Sequence, residues 1–361
     1  MATLNYKSGT LNNLTPHQID DLVNTTMEYL IDKGKFTNLL SDLNDYVAVR
    51  ELMARHKKTF EGGMDWTFNV AITANNTGNG TAKTTKLFGT DSSNRVDAIK
   101  KGKVSPRYIT ANYVYDVREP ALNSGSMVQR IDYVKEQMTL MYQSYYNLME
   151  GLFWGEPTDK NVDPAGIKYW ILPATSDTGM GSFEPVNPAG GARAGIDSTT
   201  NPRWANWSAR YAAVSKDDLV KKMRYAARKT TFRSPLTVGE PKLGSGRGIY
   251  VGIETLTDLE DLLEKQNMNL GNDLAAKDGK TLFKGNPVYH VPYLDADATA
   301  PLYMIDWSTL QLGILAGWDK KVSEPTPVAD MHTVRQVFLD TTANFVCTNL
   351  RNQAVISKAA A

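Results

Sequence analysis

Apolar residues follow two rhythms along this chain, and the points where the rhythm changes mark its elements. Ile19, Leu22, Val23, Met27 and Leu30 recur at steps of three and four, which places them on one face of a helix. Thr15 is a good N-cap, Pro16 suits the first helical position, and Gly34 supplies a stop. Leu39, Leu40, Leu43, Val47 and Leu52 predict a second helical stretch from Phe36 to Phe60, broken by Gly62 and Gly63. The period then becomes two. Trp66, Phe68, Val70 and Ile72 alternate with Thr67, Asn69, Ala71 and Thr73, which is the pattern of a strand. The polar run Asn75–Gly80 turns the chain, and Thr81–Phe88 reads as the returning strand. The product is a long hairpin with a polar tip and no core of its own. Such a hairpin is marginal alone in water and needs a partner surface, in its own subunit or in a neighbour.

Period two resumes over Tyr108–Val117, with Ala111, Tyr113, Tyr115 and Val117 on one face. The strongest signal follows: Ile131, Val134, Met138, Met141, Tyr145, Leu148 and Leu152 predict a helix from Ser126 to Phe153, closed by Gly155 and Pro157. At 1.5 Å per residue it is a rod of roughly 40 Å. Its stripe contains Met and Tyr, and Tyr142, Tyr146, Phe153 and Trp154 lie beside it. A helix laid lengthwise on its own sheet explains this at least as well as a coiled coil.

Residues 157–210 are rich in Pro, Gly, Asp and Ser and predict loops. A helix over Lys216–Lys229 opens with Ser215 and Asp218 in a capping-box relation. Further on, Ile249–Ile253, Asn286–Leu294 and Pro301–Ile305 read as strands, Thr257–Glu264 as helix, and Leu310–Leu315 as helix or turn. Thr333–Ala343 and Phe345–Ile356 each look extended. Helices and strands intersperse without strict βαβ alternation, so the class is α+β.

Composition narrows the functions. The 361 residues carry 40 Lys and Arg against 39 Asp and Glu, a net charge of +1, so no global field attracts nucleic acid or membrane. Near-neutrality also lets like subunits approach one another. Cys347 is the only cysteine, which excludes an intrachain disulfide and a Cys-based zinc site and fits a reducing compartment. Met1–Lys7 lacks the apolar stretch of a signal peptide, and no window is apolar enough to span a bilayer.

Candidates for chemistry are weak. The glycines of Gly244, Gly246 and Gly248 precede a strand, whereas a dinucleotide fingerprint requires strand, glycine turn and then helix. His17, His56, His290 and His332 stand in no metal-ligand spacing. Ser182 and Ser245 have glycine neighbours but no GxSxG elbow. Asp258, Glu260, Asp261 and Glu264 read as a solvated helix face, and Asp295 and Asp297 as solvated turn acids. Cys347, among Phe345, Val346 and Leu350, reads as a small buried hydrophobe. No catalytic residue, metal ligand or cofactor site is assigned.

Three local words join this order of elements. Gly195, Ile196 and Asp197 are followed by Pro202, Arg203 and Trp204 and then by Asn206 and Trp207. Gly285 to Pro292 contains the pair Pro287 and Val288, and Asn349–Lys358 reads as a closing strand. With the order of elements, these words resemble the major capsid proteins of tailed bacteriophages, although Arg precedes Trp204 here and Ala follows it. The resemblance implies an HK97-like capsid fold. Residues 1–62 would be the N-terminal arm, 63–103 the E-loop, 104–160 the P-domain with its spine helix, 161–325 the A-domain, and 326–361 the return to the P-domain. It implies a non-enzymatic subunit that self-assembles as hexamers and pentamers into an icosahedral head shell. The implied partners are scaffolding and portal proteins and packaged DNA touched without sequence preference, with no membrane. Assembly would occur in the host bacterial cytoplasm, with procapsid maturation to the virion. Some relatives crosslink an E-loop lysine to a P-domain asparagine of a neighbour. Lys83 and Lys86, with Asn344 or Asn349, are the positions that would do so here.

Two other functions compete: a tail-tube or sheath subunit, against which the long helix after an extended hairpin argues, and a hydrolase with carboxylates brought together from afar, which no motif supports. On the shell reading, Trp66, Phe68, Val70 and Ile72 bury against an adjacent subunit. Serine at Trp66 and Phe68 is then expected to leave a folded monomer and to lower particle yield, as counted by electron microscopy.

Overall fold

The computed structural model describes residues 46–71, 86–87, 99–118, 127–176, 179–184, 192–231, 247–267 and 281–359. Residues 1–45 of the expected arm, with the helix over 15–34, the hairpin tip over 75–80 and the glycines at 244 and 246 lie outside these residues. The elements in chain order begin with α1 (Val47–Arg55), β1 (Lys57–Phe60), β2 (Trp66–Ala71), β3 (Ile99–Val104) and β4 (Arg107–Asp116). Next come α2 (Met127–Trp154), α3 (Ile167–Trp170), β5 (Ser182–Glu184), β6 (Asn206–Tyr211), α4 (Leu219–Lys229), β7 (Arg247–Val251) and α5 (Ile253–Asn267). The remainder is nearly all strand: β8 (Leu282–Phe283), β9 (Asn286–His290), β10 (Leu302–Asp306), β11 (Leu310–Leu315), β12 (Lys321–Val322), β13 (Thr326–Val328), β14 (Met331–Cys347) and β15 (Ala354–Lys358). The chain is therefore mixed α+β, and it divides into two compact units.

The larger unit takes residues 47–107, 150–314 and 343–361. Its centre is a seven-stranded sheet in the order β5-β6-β15-β10-β7-β9-β8. Strand β15 runs parallel to β6 and antiparallel to β10. Period two sorts the side chains of this sheet. Trp207, Ala209, Ile249, Val251, Leu302, Met304, Ala354 and Ile356 point to one face, where they pack with Leu219, Met223, Ala226 and Ala227 of α4 and Leu259 of α5. The alternate positions Tyr250 and Tyr303 meet an aromatic cluster on the last turn of α2. There the ring centroids of Phe153 and Trp154 lie 4.9 Å apart, Trp154 and Tyr250 5.7 Å, and Trp154 and Tyr303 5.9 Å. Trp307 closes this cluster and donates its indole N–H to the Tyr250 hydroxyl at 2.7 Å.

The smaller unit takes residues 1–46, 108–149 and 315–342. Here β4, β12 and β13 each pair with the first part of β14. Strand β4 buries Ile109, Tyr113 and Tyr115 and exposes Tyr108, Thr110 and Val114. The described buried positions of α2 in this unit are Met138, Met141, Tyr145 and Met149. Leu148, expected on the buried stripe, is 44% exposed. A straight helix drifts about 20° per heptad against a strict 3.5-residue repeat, and that drift moves the seam from 148 to 149.

Several expectations are corrected. The second helix does not reach Phe60. It ends at Arg55, and residues 57–60 form β1 beside β11, with the amide of Leu312 donating to the carbonyl of His56 at 3.0 Å. Residues 310–315 are a strand, paired Leu310 to Cys347 and Ile314 to Ala343, in place of the expected helix or turn. The alternation of buried Leu310, Leu312 and Ile314 carried that signal. The partner of β2 is β3, with Trp66 opposite Val104 and Ala71 opposite Ile99. The expected returning strand over 81–88 is absent at Lys86 and Leu87, which lie outside any strand. Residues 333–343 and 345–356 are not two equal strands: β14 runs unbroken through both sides of Asn344, and a 3₁₀ turn at Leu350–Asn352 precedes β15. The last strand, β15, lies between β6 and β10 in the seven-stranded sheet.

Glu150 shows how α1 is anchored. The first amides of a helix have no intrahelical partner. The amides of Ala48 and Val49 donate to the Glu150 carboxylate at 3.0 and 2.9 Å, and the Trp154 indole N–H donates to it at 2.7 Å. Burial raises the pKa of this carboxyl above the ordinary 4.5, against the pull of those three donors. The folded state thus holds the proton more tightly than the unfolded chain. Its contribution to stability is complete below the ordinary value and is lost as pH rises through the folded one. Relative to Glu150→Gln, the wild-type chain is expected to lose stability as pH rises from 4.5, in urea titrations of both proteins across that range.

Candidate assembly surface at the hairpin stem

The stem of the hairpin is built by four glycine-dependent or aromatic contacts within the larger unit. Trp66 stacks on Phe60 with centroids 4.5 Å apart and planes 7° from parallel. It lies against Gly313, where a Cβ would stand 2.6 Å from the indole ring. Phe68 lies across Gly102 of β3, where a Cβ would come within 2.4 Å of its ring, and its centroid is 6.2 Å from that of Trp204. The amide of Lys103 donates to the carbonyl of Ala194 at 2.8 Å, which ties β3 to the segment ahead of β6.

That segment is the one whose Gly, Asp, Pro and Trp stood out in the sequence. Ala194 and Gly195 both take positive φ, 53° and 76°, and make the tight turn that pairs Arg193 with Ile196. Asp197 accepts from the hydroxyl and the amide of Thr199, and these bonds hold its carboxyl below the ordinary value. Arg193, which the sequence reading missed, is 1% exposed and organises the whole segment. It donates to the carbonyls of Trp170 and Trp204 at 2.8 and 3.2 Å and to the side-chain oxygen of Asn206 at 2.9 Å. Trp204 returns its indole N–H to the Arg193 carbonyl at 3.1 Å. Burial among carbonyls pushes the guanidinium pKa down to about 10.

The sequence-selected positions fall in different places. Trp66 is 2% exposed and covered by its own chain, so the expectation that it buries against a neighbour is corrected: it is part of the subunit core. Phe68 and Val70 are half-buried, and Ile72 and Lys83 lie outside the described residues. Lys86 is exposed. Asn344 is buried with its amide fully engaged: it donates to the Ser105 carbonyl at 2.6 Å and accepts from the amides of Ala165 and Phe345, both at 2.8 Å. Its side chain is therefore not open to an incoming lysine, which corrects its place among the crosslink candidates. Asn349 is exposed and accepts from the Arg351 amide at 3.0 Å.

The structure brings Val70 and Asn349 together. With Asn69, Arg203, Trp204, Thr348 and Arg351 they line an open cleft of about 610 Å³. The Arg351 guanidinium sits 4.0 Å from the Phe183 ring, and burial, then the nearby Arg203, holds its pKa below the usual arginine value. Among the described residues no carboxylate lines the cleft. Arg203 stood within a quoted motif, whereas no sequence signal marked Arg351.

The chemical candidates resolve into structural roles. The ring of His56 stacks on Trp307, 6.2 Å between centroids, and burial lowers its pKa. The Asp295 carboxylate accepts the first amide of α5, from Ile253, at 2.7 Å and lies 3.0 Å from His290. Asp297 pairs with Lys168 at 2.8 Å. These two are thus anchors rather than merely solvated acids. Cys347 is fully buried, and burial pushes its thiol up to about 12. Among the described residues no three His, Cys, Asp or Glu side chains converge as metal ligands, and no helix is long and apolar enough to cross a membrane.

The fold is that of phage capsid chains. A chain of the cyanophage A-1(L) capsid asymmetric unit superposes with a TM-score of 0.61 at 14% identity, over 89% of this chain and 95% of that one. A capsid chain of a native GTA particle gives 0.55 at 12% identity, over 92% and 96%. A chain of Microbacterium phage Oxtober96 gives 0.52 at 12% identity, over 90% and 94%. No protein-family model matches the sequence, and no curated protein does.

The stem geometry separates core from surface. Trp66→Ser is expected to destabilise the chain by about 3–5 kcal/mol, the range for removing a buried aromatic. Phe68→Ser and Val70→Ser, at half-buried sites, should each cost under about 2 kcal/mol. Urea midpoints of the three variants measure the difference.

Proposed function

We propose that this chain is the shell subunit of a tailed-phage head, in the HK97-like manner. The observation that supports it most is the shared fold with capsid chains, which extends over 89–92% of this chain and 95–96% of theirs in two of the superpositions. The sequence resemblance supports the same reading independently, through the order of arm, hairpin, long helix and sheet. Under it, residues 1–62 are the arm, 63–103 the E-loop, 104–160 the P-domain with its spine helix, 161–325 the A-domain and 326–361 the return. The last of these lends β15 to the sheet of the A-domain segment.

The surface offered to neighbours is on the hairpin: Phe68 and Val70 at its stem, with Ile72 next in the sequence alternation. Burial of many such modest contacts across a closed array gives a stable shell from individually weak joints. Copies of the chain are the main partner, as hexamers and pentamers. Scaffolding and portal proteins direct assembly, and packaged DNA is touched without sequence preference. If a covalent crosslink forms, Asn349 is the asparagine open to Lys83 or Lys86.

Overexpressed chain, purified and viewed by electron microscopy, is expected to form closed shells. Tubes would favour a tail-tube or sheath subunit, and a monomer at all concentrations would reject the proposal. Phe68→Ser with Val70→Ser should keep the circular dichroism of the wild type and lower shell yield. On a denaturing gel the shells should run as a single monomer band. A ladder that Asn349→Ala abolishes would establish the crosslink.

A further inference from the structure

Two helices on one face of the seven-stranded sheet turn opposite charges outward. Helix α4 buries Leu219, Met223, Ala226 and Ala227 and exposes Lys221, Arg224 and Arg228, which stand at i, i+3 and i+7 on a single stripe. Lys284, exposed in the turn between β8 and β9, adds to this patch. Its ammonium is held below the usual lysine value by burial and then by Arg228 and Arg224. Helix α5 buries Thr255 and Leu259 and exposes Glu254, Asp258 and Asp261, at i, i+4 and i+7. Both helices pack into one core, so the two stripes are fixed relative to each other.

Local structure does not account for these stripes. The helix dipole favours Arg228 in the last turn of α4 and Glu254 in the first turn of α5, but not Lys221 in the first turn of α4 or the mid-helix residues Arg224, Asp258 and Asp261. Among the described residues none of those four, nor Arg228, takes part in an ion pair; the nearby pairs are Lys222 with Asp218 and Lys358 with Glu254. Like charges three and four residues apart on a helix repel one another, so each stripe is less stable alone than opposite its complement.

We propose that the basic stripe of α4 docks onto the acidic stripe of α5 of a second copy of this chain, head to tail. The proposal deepens the shell-subunit reading and rests on it. A contact between two different patches of identical copies is heterologous and can repeat around a ring, as six- and five-membered rings require. With a net charge of only +1, the chain has little long-range attraction for its own copies, and segregated stripes give the encounter its orientation. A polyanion such as DNA would use the basic stripe and be repelled by the acidic one. The presence of both stripes, of opposite sign, on one chain therefore favours a second copy.

A charge-exchange cycle tests this in the full chain. The variants are Arg224→Glu with Arg228→Glu, Asp258→Lys with Asp261→Lys, and all four together. Sedimentation velocity reads the ring-sized fraction, electron microscopy reads shells, and circular dichroism checks folding. Each double variant is expected to reduce the ring-sized fraction about tenfold, and the fourfold variant to restore it to within about twofold. Restoration is the outcome a purely structural role would not give. Wild-type rings should also dissociate as salt rises above about 0.15 M. This readout needs no variant to fold, and rings indifferent to salt would overturn the pairing. Double variants that form rings and shells at wild-type levels would overturn the pairing and leave the shell reading standing. Wild-type rings without shells would do the reverse, and absence of both would overturn both. Loss of DNA retention in the α4 variant, gain in the α5 variant and no rescue in the fourfold variant would assign the basic stripe to a polyanion instead.

Discussion

The pairing of β15 between β6 and β10 is the constraint on which the larger unit depends. A strand in the middle of a sheet must satisfy hydrogen bonds on both edges and bury side chains on both faces. Residues 354–358 do both: Ile356 lies in register with Ala209 on one side and Leu302 on the other. The core under α4 and α5 and the aromatic cluster around Trp154 and Tyr250 are the two faces of that sheet. Without β15, β6 and β10 lose their common neighbour. The Arg193 segment that anchors the hairpin then hangs from an edge, because Asn206, its partner, begins β6.

Much of this architecture was legible in the chain. The long helix, the hairpin's first strand and β4 announced themselves by period, because each buries one regular face, and α4 by its capping residues. What escaped were the elements set by distant partners. Strand β3 reads Ile, Lys, Lys, Gly, Lys, Val, and its lysines hide its alternation. Its place opposite β2 depends on Gly102 making room for the Phe68 ring. Residues 57–60 continued a helical pattern, but pairing with β11 decided their conformation. Gly313 looked like a helix or turn residue in isolation, yet its lack of a side chain is what seats Trp66.

The strand face at the hairpin stem was legible in the sequence, and the surroundings of its members were not. Alternation identified Trp66, Phe68 and Val70 as one face, and that face is real. Whether a given position serves the subunit's own core or remains open depends on Phe60 and Gly313, far apart in sequence, and no local pattern encodes that. Asn344 illustrates the same limit. Its residue type suited a reactive role, but a buried amide with three satisfied hydrogen bonds is a structural clamp. Arg193 was invisible for a related reason: an arginine paired with carbonyls leaves no complementary acid in the sequence to point to it.

The central placement of β15 also shapes how the chain must be made. Synthesis runs from β6 to β15 across roughly 140 residues, which take about 7–30 s at ordinary translation rates. Throughout that interval β6 has an unpaired edge and an apolar face that nothing yet covers. Nascent subunits therefore pass through an obligatory, adhesive stage before they can close. A cell crowded with ribosomes translating this message would feel that stage as demand on its chaperones.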